Sequence, residues 1–287
     1  MNTAVWTRQF WKTTKEISVT AIIEEAERSI EIVICGELEF RESIENALGT
    51  PIAIEGVTRN ISPNNATRII AVVNTPSDTP PNAAFVYSVD QIGSLQRTLD
   101  RILEDNPEYM LALGRKYPGL RPKIVNEIIA NCAVTNAEFA MLNALPGVAP
   151  GLSILLPAGA ISDMIMLTKN QAMMLYRLAA VHGKPLDIGS RSRDIAPLLG
   201  NAFGWRAIAR ELVGVVPGGI GLAARGAIAY AGTVALGRAL TKYYVVGRPA
   251  SAREIRQYYK DAISTGKSIV LDVAKNITGR KKRIVKS

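Results

Sequence analysis

The run from Ile30 to Leu48, IEIVICGELEFRESIENAL, sets an apolar strand, a glycine and a helix in immediate succession. IEIVIC is rich in β-branched residues and stops at Gly36, which predicts a buried strand. RESIENAL carries apolar residues at helical spacing. Strand, glycine and helix is also the order of a phosphate-binding loop, in which backbone N–H groups and a lysine hold the anion. Laid on Gly36, the pattern G-x-x-x-x-G-K-[ST] is met by Gly36 and Ser43 only. Arg41 stands for the second glycine and Glu42 for the lysine. A carboxylate at that position repels phosphates, and Glu37 and Glu39 add to the repulsion. After the next strand, Asn74-Thr75-Pro76-Ser77 replaces the Asp-x-x-Gly of a GTPase, and no Asn-Lys-x-Asp follows. A nucleotide-free unit with no cofactor is expected, either a degenerate GTPase-like remnant or an unrelated small α/β domain. An atypical GTPase or ATPase is the alternative, marked by a thermal shift with GTP.

Two other glycine motifs are weaker. Gly266-Lys267-Ser268 has Asp261 where the first glycine belongs and a helix before it. PGGIG at 217–221 lacks the strand and third glycine of a dinucleotide fingerprint.

Outward from the opening run, strands RIIAVV and AAFVYSV, the turn NTPSDTPP and the helix SLQRTLDRIL complete a small α/β domain over 29–104, with a parallel sheet. Residues 1–28 read as an amphipathic helix. Trp6, Phe10 and Ile17 lie near one face and Arg8, Lys12 and Lys15 on the other; packing on the next domain is expected over a free membrane anchor.

From 105 to 287 strand signals vanish and a mainly helical domain is expected. Residues 139–162 carry no charge, and 24 residues would span a bilayer core of roughly 30 Å. Pro146, Pro150 and Pro157 break that stretch, so a broken, re-entrant or interfacial pair of short helices is expected. In the next helix Asp163, Asn170, Arg177 and Lys184 form a polar stripe. Residues 206–244 are the candidate membrane hairpin. Along them Ala223, Ala227, Ala231, Ala235 and Ala239 form a ridge of small side chains suited to close helix packing, in lipid or in water. Arg225 and Arg238 lie near the ends of the run and would snorkel towards headgroups. Asp163, Gln171 and Arg238 are the polar residues set deepest among apolar ones, expected to make inter-helix hydrogen bonds rather than an ion path. Ser251 and Glu254 make a capping box for a last amphipathic helix, and Arg280, Lys281, Lys282 and Arg283 form a basic tail suited to a lipid surface.

The charge is segregated. Residues 1–130 hold 13 Lys/Arg against 17 Asp/Glu, whereas residues 131–287 hold 21 against 8. The basic half is also the more apolar one and has few aromatics to stack on bases, so anionic lipid is expected as partner and nucleic acid is not. Cys35 and Cys132 sit in apolar contexts as reduced thiols, and His182 is the only histidine, which argues against a Cys/His zinc site, so no metal site is expected, and leaves one candidate base for a His-dependent triad. No basic-then-apolar leader opens the chain, so a secretory signal is not expected.

Four segments together resemble the bacterial domain of unknown function 697 family: YPGLRP at 117–122, TNAEFA at 135–140 with ALPG at 144–147, PAGAISDMIMLTKNQAMMLYRLAAVHG at 157–183, and AGTVALGRALTKYY at 231–244. The resemblance implies a helical, membrane-associated module of the bacterial inner membrane, linked to GTPase systems and without known catalytic residues. The expected protein is therefore a non-enzymatic scaffold or regulator on the cytoplasmic face, with a separate GTPase or a second copy of itself as protein partner. A soluble helical interaction module is the further alternative.

Overall fold

A computed structural model describes residues 19–49, 68–79, 85–142, 156–186 and 222–266; for 156–168 and 222–224 the backbone alone is described. In chain order the elements are α1 (Thr20–Ala26), β1 (Ile30–Cys35), α2 (Leu38–Leu48), β2 (Arg68–Val73), β3 (Phe85–Ser88), α3 (Val89–Ile92), α4 (Leu95–Asp105), α5 (Met110–Lys116), α6 (Arg121–Leu142), α7 (Leu156–Val181) and α8 (Leu222–Val246). Residues 252–266 are helical as well and are called α9. Short 3-10 turns at Pro76–Asp78, Pro107–Tyr109 and Pro118–Leu120 each begin on a proline, whose fixed φ suits the first helical position. The described residues are mostly helical with one small parallel sheet, the sheet as the alternation of the first hundred residues predicts and the helices as the loss of strand signals from 105 onward predicts.

Two compact units divide the chain. One comprises Thr20–Val125 with Ala179–Lys184; the other includes Asn126–Leu178 and the described residues from Pro185 onward. The α/β unit thus takes in residues 105–125, which the sequence places with the helical part.

In the α/β unit the strands are parallel in the order β1-β2-β3, with Ile30 opposite Arg68 and Ile70 opposite Phe85. The central strand is buried on both faces: Ile70, Ala71, Val72 and Val73 expose nothing to solvent. This is why RIIAVV reads as a continuous apolar run instead of an alternation. β1 buries Ile30 and Ile32 and leaves Glu31, Val33, Ile34 and Cys35 partly open. Local signals set the helix ends. Ser94 caps α4 by accepting from the Arg97 N–H, and Gly49 closes α2 in the left-handed region at φ 66°.

In the helical unit α6 and α8 run antiparallel, since Ile129 meets Gly237 and Asn136 meets Thr233. A Cβ on Gly237 would lie 2.5 Å from Ile129 Cγ1, so this glycine sets how closely the two helices approach. Ala227, Ala231, Ala235 and Ala239 of α8 are all buried, so the alanine ridge is a packing surface of this unit.

Among the described residues no helix is long and apolar enough to cross a membrane. Of the membrane hairpin expected over 206–244, residues 206–221 lie outside the described residues, and in the described part Arg225, Arg238 and Lys242 interrupt the apolar run. Residues 1–18, most of the uncharged run at 139–162, PGGIG at 217–221 and the basic tail Arg280–Arg283 lie outside the described residues.

Candidate functional site

The carboxyl ends of parallel strands are where α/β folds bind ligands. Between β1 and α2, however, only Gly36 and Glu37 intervene. The Arg41 N–H already donates to the Glu37 carbonyl at 3.0 Å, so Arg41, Glu42 and Ser43 lie inside α2, where a phosphate loop would still be open chain. The likeness to a phosphate loop ends at Gly36. Its φ is +145°, and a Cβ there would sit 2.8 Å from Phe40 Cδ1, so the glycine serves a tight strand-to-helix turn with a phenyl ring over it. Arg41, Glu42 and Ser43 are all exposed on the helix surface.

The loop after β2 is equally self-contained. Asp78 accepts from both the Thr75 N–H (3.3 Å) and the Thr75 hydroxyl (3.1 Å), the capping box of the Pro76–Asp78 turn that Thr75 begins. Ser88 Oγ donates to the Asn74 carbonyl at 3.0 Å. Burial raises the Cys35 thiol, Asp78 raises it further, and Arg41 opposes them, so the thiol at the end of β1 stays protonated at neutral pH. Among the described residues no group of three His, Cys, Asp or Glu side chains is placed to hold a metal ion.

A buried polar network missed by sequence reasoning joins the sheet to α4. Asn106, fully buried, accepts from Arg68 Nε at 3.1 Å and donates to the Tyr87 hydroxyl at 3.1 Å and the Ile102 carbonyl at 2.8 Å. The Tyr87 hydroxyl in turn donates to Asp105, which pairs with Arg101. The Arg68 guanidinium lies 3.9 Å from the centre of the Phe85 ring. Every member has a partner, which is the condition for such a network to fix a unique core.

The YPGLRP segment has a structural role in this unit. Lys116 Nζ donates to the Ile30 carbonyl at 3.1 Å and also pairs with Glu31, while the Tyr117 hydroxyl accepts from the Ile32 N–H at 2.7 Å. Residues 116 and 117 thereby occupy the outer hydrogen-bonding edge of β1, the edge away from β2. Gly119 rests on the end of α2, where a Cβ would lie only 1.8 Å from the Ala47 carbonyl oxygen. Arg121 closes α5 by donating to the carbonyls of Gly114 (2.8 Å) and Arg115 (3.1 Å). Beside this turn a cleft of about 360 Å³ is lined by Leu95, Leu99, Leu103 and Leu120, with Lys123 paired to Asp100 at its rim.

In the helical unit the deepest polar residues differ from those expected. Asn136 and Thr233 are each 1% exposed. Asn136 donates to Thr233 Oγ1 at 3.0 Å and accepts from Asn170 Nδ2 at 2.9 Å, so α6, α7 and α8 meet at one three-residue junction. The Thr233 hydroxyl donates to the Ala229 carbonyl at 2.9 Å, and burial pushes the neighbouring Cys132 thiol up to about 12. Of the residues expected there, Gln171 is half-buried and Arg238 is exposed, 4.0 Å from Asp261. Arg238 looks buried in sequence because its neighbours are apolar, yet its side chain is exposed and faces Asp261. Asp163 lies on the α7 backbone among the residues whose side chains are not described.

α8 and α9 form an antiparallel hairpin, since Lys242 pairs with Glu254, Arg238 faces Asp261, and Gly266 packs on Tyr230. The expected capping box is present: the Ser251 N–H donates to Glu254 Oε2 at 2.9 Å, and the Glu254 N–H donates back to Ser251 Oγ at 3.3 Å. Residues 222–266 carry seven basic side chains and two carboxylates, Glu254 and Asp261. Both carboxylates are engaged within the hairpin, by Lys242 and Arg238. Arg225, Arg248, Arg253, Arg256 and Lys260 are exposed.

No family model, curated protein or solved structure matches the chain.

Proposed function

We propose that this protein is a non-catalytic scaffold or regulator of a GTPase-linked system, working on the cytoplasmic face of a bacterial inner membrane. What carries the proposal is how the polar groups are committed. At the head of the sheet and between the helices they bind one another. The outward charge of residues 222–266, by contrast, is basic, with both local carboxylates already neutralised. A positive surface of this kind draws the protein to anionic lipid, at roughly 1 kcal/mol per basic residue near the surface. The turn at Gly36-Glu37 offers a triphosphate no lysine and sets Glu37, Glu39 and Glu42 at the start of α2, where their charge repels phosphate, which supports a binding role over hydrolysis. The link to GTPase systems rests on the resemblance of residues 117–244, and the basic tail Arg280–Arg283 would add to lipid attraction.

The test is flotation of the full chain with vesicles of phosphatidylcholine alone or mixed with phosphatidylglycerol. Binding to the mixed vesicles only, lost at high salt as screening shortens the reach of surface charge to about 3 Å at 1 M, is the expected result. A chain that ignores anionic vesicles at low salt overturns the proposal.

A further inference from the structure

We infer that the tip of the α8–α9 hairpin, from Val245 to Arg253, is the element that docks on the anionic bilayer. The inference rests on the membrane association proposed above and adds the place of contact. Val245 and Val246, in the last turn of α8, are 68% and 53% exposed. Adjacent large apolar residues left open at a chain corner find no favourable environment in water, and the headgroup boundary of a bilayer supplies one. Gly247 ends the helix there, at φ 77° with its N–H on the Tyr243 carbonyl, so the chain turns back immediately behind the two valines. Arg248, Pro249, Ala252 and Arg253 are exposed around that turn.

Charge complementarity selects the partner. On α9, Arg253 and Lys260 recur at i and i+7 on one outward face, while Ala262 is buried on the opposite side. The acidic residues of the hairpin are not free to cancel that charge. Glu254 is held by Lys242 and by both the N–H and hydroxyl of Ser251; Asp261 accepts from Gln257 at 2.7 Å and faces Arg238. The tip therefore joins an apolar knob to basic side chains at its rim. Nucleic acid would use the positive charge but gain nothing from the valines. A lipid surface uses both, with the valines at the acyl boundary and the arginines at the phosphates.

The experiment is vesicle flotation of the full chain on mixed phosphatidylcholine and phosphatidylglycerol, comparing wild type with Val245→Asp/Val246→Asp and with Arg248→Glu/Arg253→Glu. A charge-matched control, Arg97→Glu/Lys169→Glu, alters exposed residues elsewhere. All substituted positions are on the surface; thermal midpoints check that the fold is intact, and Val245→Ser/Val246→Ser serves if the aspartates perturb it. Both tip variants are expected to lower vesicle partitioning by about tenfold and the control to leave it near the wild-type value. Should wild type and tip variants float alike, contact lies elsewhere; this inference is overturned and the membrane association stands. Should wild type fail to float, both are overturned. Capture on polyglutamate resin through the same tip, without flotation, would reassign it as a docking surface for an acidic protein.

Discussion

The Tyr117 hydroxyl lies 2.7 Å from the backbone nitrogen of Ile32 and accepts its hydrogen bond, across 85 residues of chain. With Lys116 on the Ile30 carbonyl, it completes the outer edge of β1 much as a neighbouring strand would. An exposed parallel edge invites pairing with another chain, and here two side chains close it. Tyr117→Phe keeps the ring and removes the acceptor, leaving a buried N–H unsatisfied. The expected cost is about 1–3 kcal/mol, read from the urea midpoint at unchanged m-value; an unchanged midpoint would show that water takes over the bond.

Gly119 is the tighter constraint in the same turn. A Cβ placed 1.8 Å from the Ala47 carbonyl oxygen cannot be accommodated by a rotamer change, because the obstacle is backbone. Gly119→Ala is expected to destabilise the α/β unit by about 3 kcal/mol or more. Gly93→Ala is a useful contrast. Nothing lies within 4 Å of a Cβ there, so only its φ of 90° penalises the side chain and a smaller loss should be measured.

The Asn136–Asn170–Thr233 junction predicts a non-additive series. Removing Asn136 alone, as Asn136→Ala, strands Asn170 and a buried cavity, with an expected loss of about 2–4 kcal/mol. Replacing all three together, Asn136→Leu with Asn170→Leu and Thr233→Val, removes every stranded group and should recover part of that loss. Thermal unfolding of single and combined variants decides it; simple additivity would mean that the three side chains do not act as a unit.

Acid should loosen the hairpin through Glu254. Hydrogen bonds from Lys242, then from the Ser251 N–H and hydroxyl, hold its carboxyl at about 2, below the ordinary 4.5. A carboxylate whose folded pKa is depressed contributes its full stability above the unfolded value and loses it as pH falls towards the folded one. The difference in melting temperature between wild type and Glu254→Gln should therefore be constant above about pH 5 and shrink steadily as the pH drops to 2. A difference that does not change with pH in that range would refute the pairing.

Nucleotide should not stabilise the protein. A ligand at about 100 times its Kd adds about 2.7 kcal/mol, readily visible in a melt. No such shift is expected with GTP or ATP and magnesium, and Ser43→Ala should melt as wild type does. A GTP-dependent shift abolished by Ser43→Ala would reinstate the phosphate-loop alternative.

The sequence by itself determined what depends on neighbours a few residues apart. The apolar run RIIAVV, the RESIENAL helix, the Ser251–Glu254 capping box and the alanine ridge of α8 are all local or periodic, and each is found where its pattern puts it. The tertiary structure decided which polar groups meet. Tyr117 reaches Ile32 over 85 residues, Asn136 reaches Asn170 over 34 and Thr233 over 97, and no periodicity encodes such pairs. It also decided that α2 starts two residues after Gly36, turning an apparent phosphate loop into a closed turn. It set Arg238 at the surface as well, though its sequence neighbours are apolar. The physical reason is the same in each case: backbone preference acts within a turn of helix or strand, while burial and partner choice depend on which distant segments pack together.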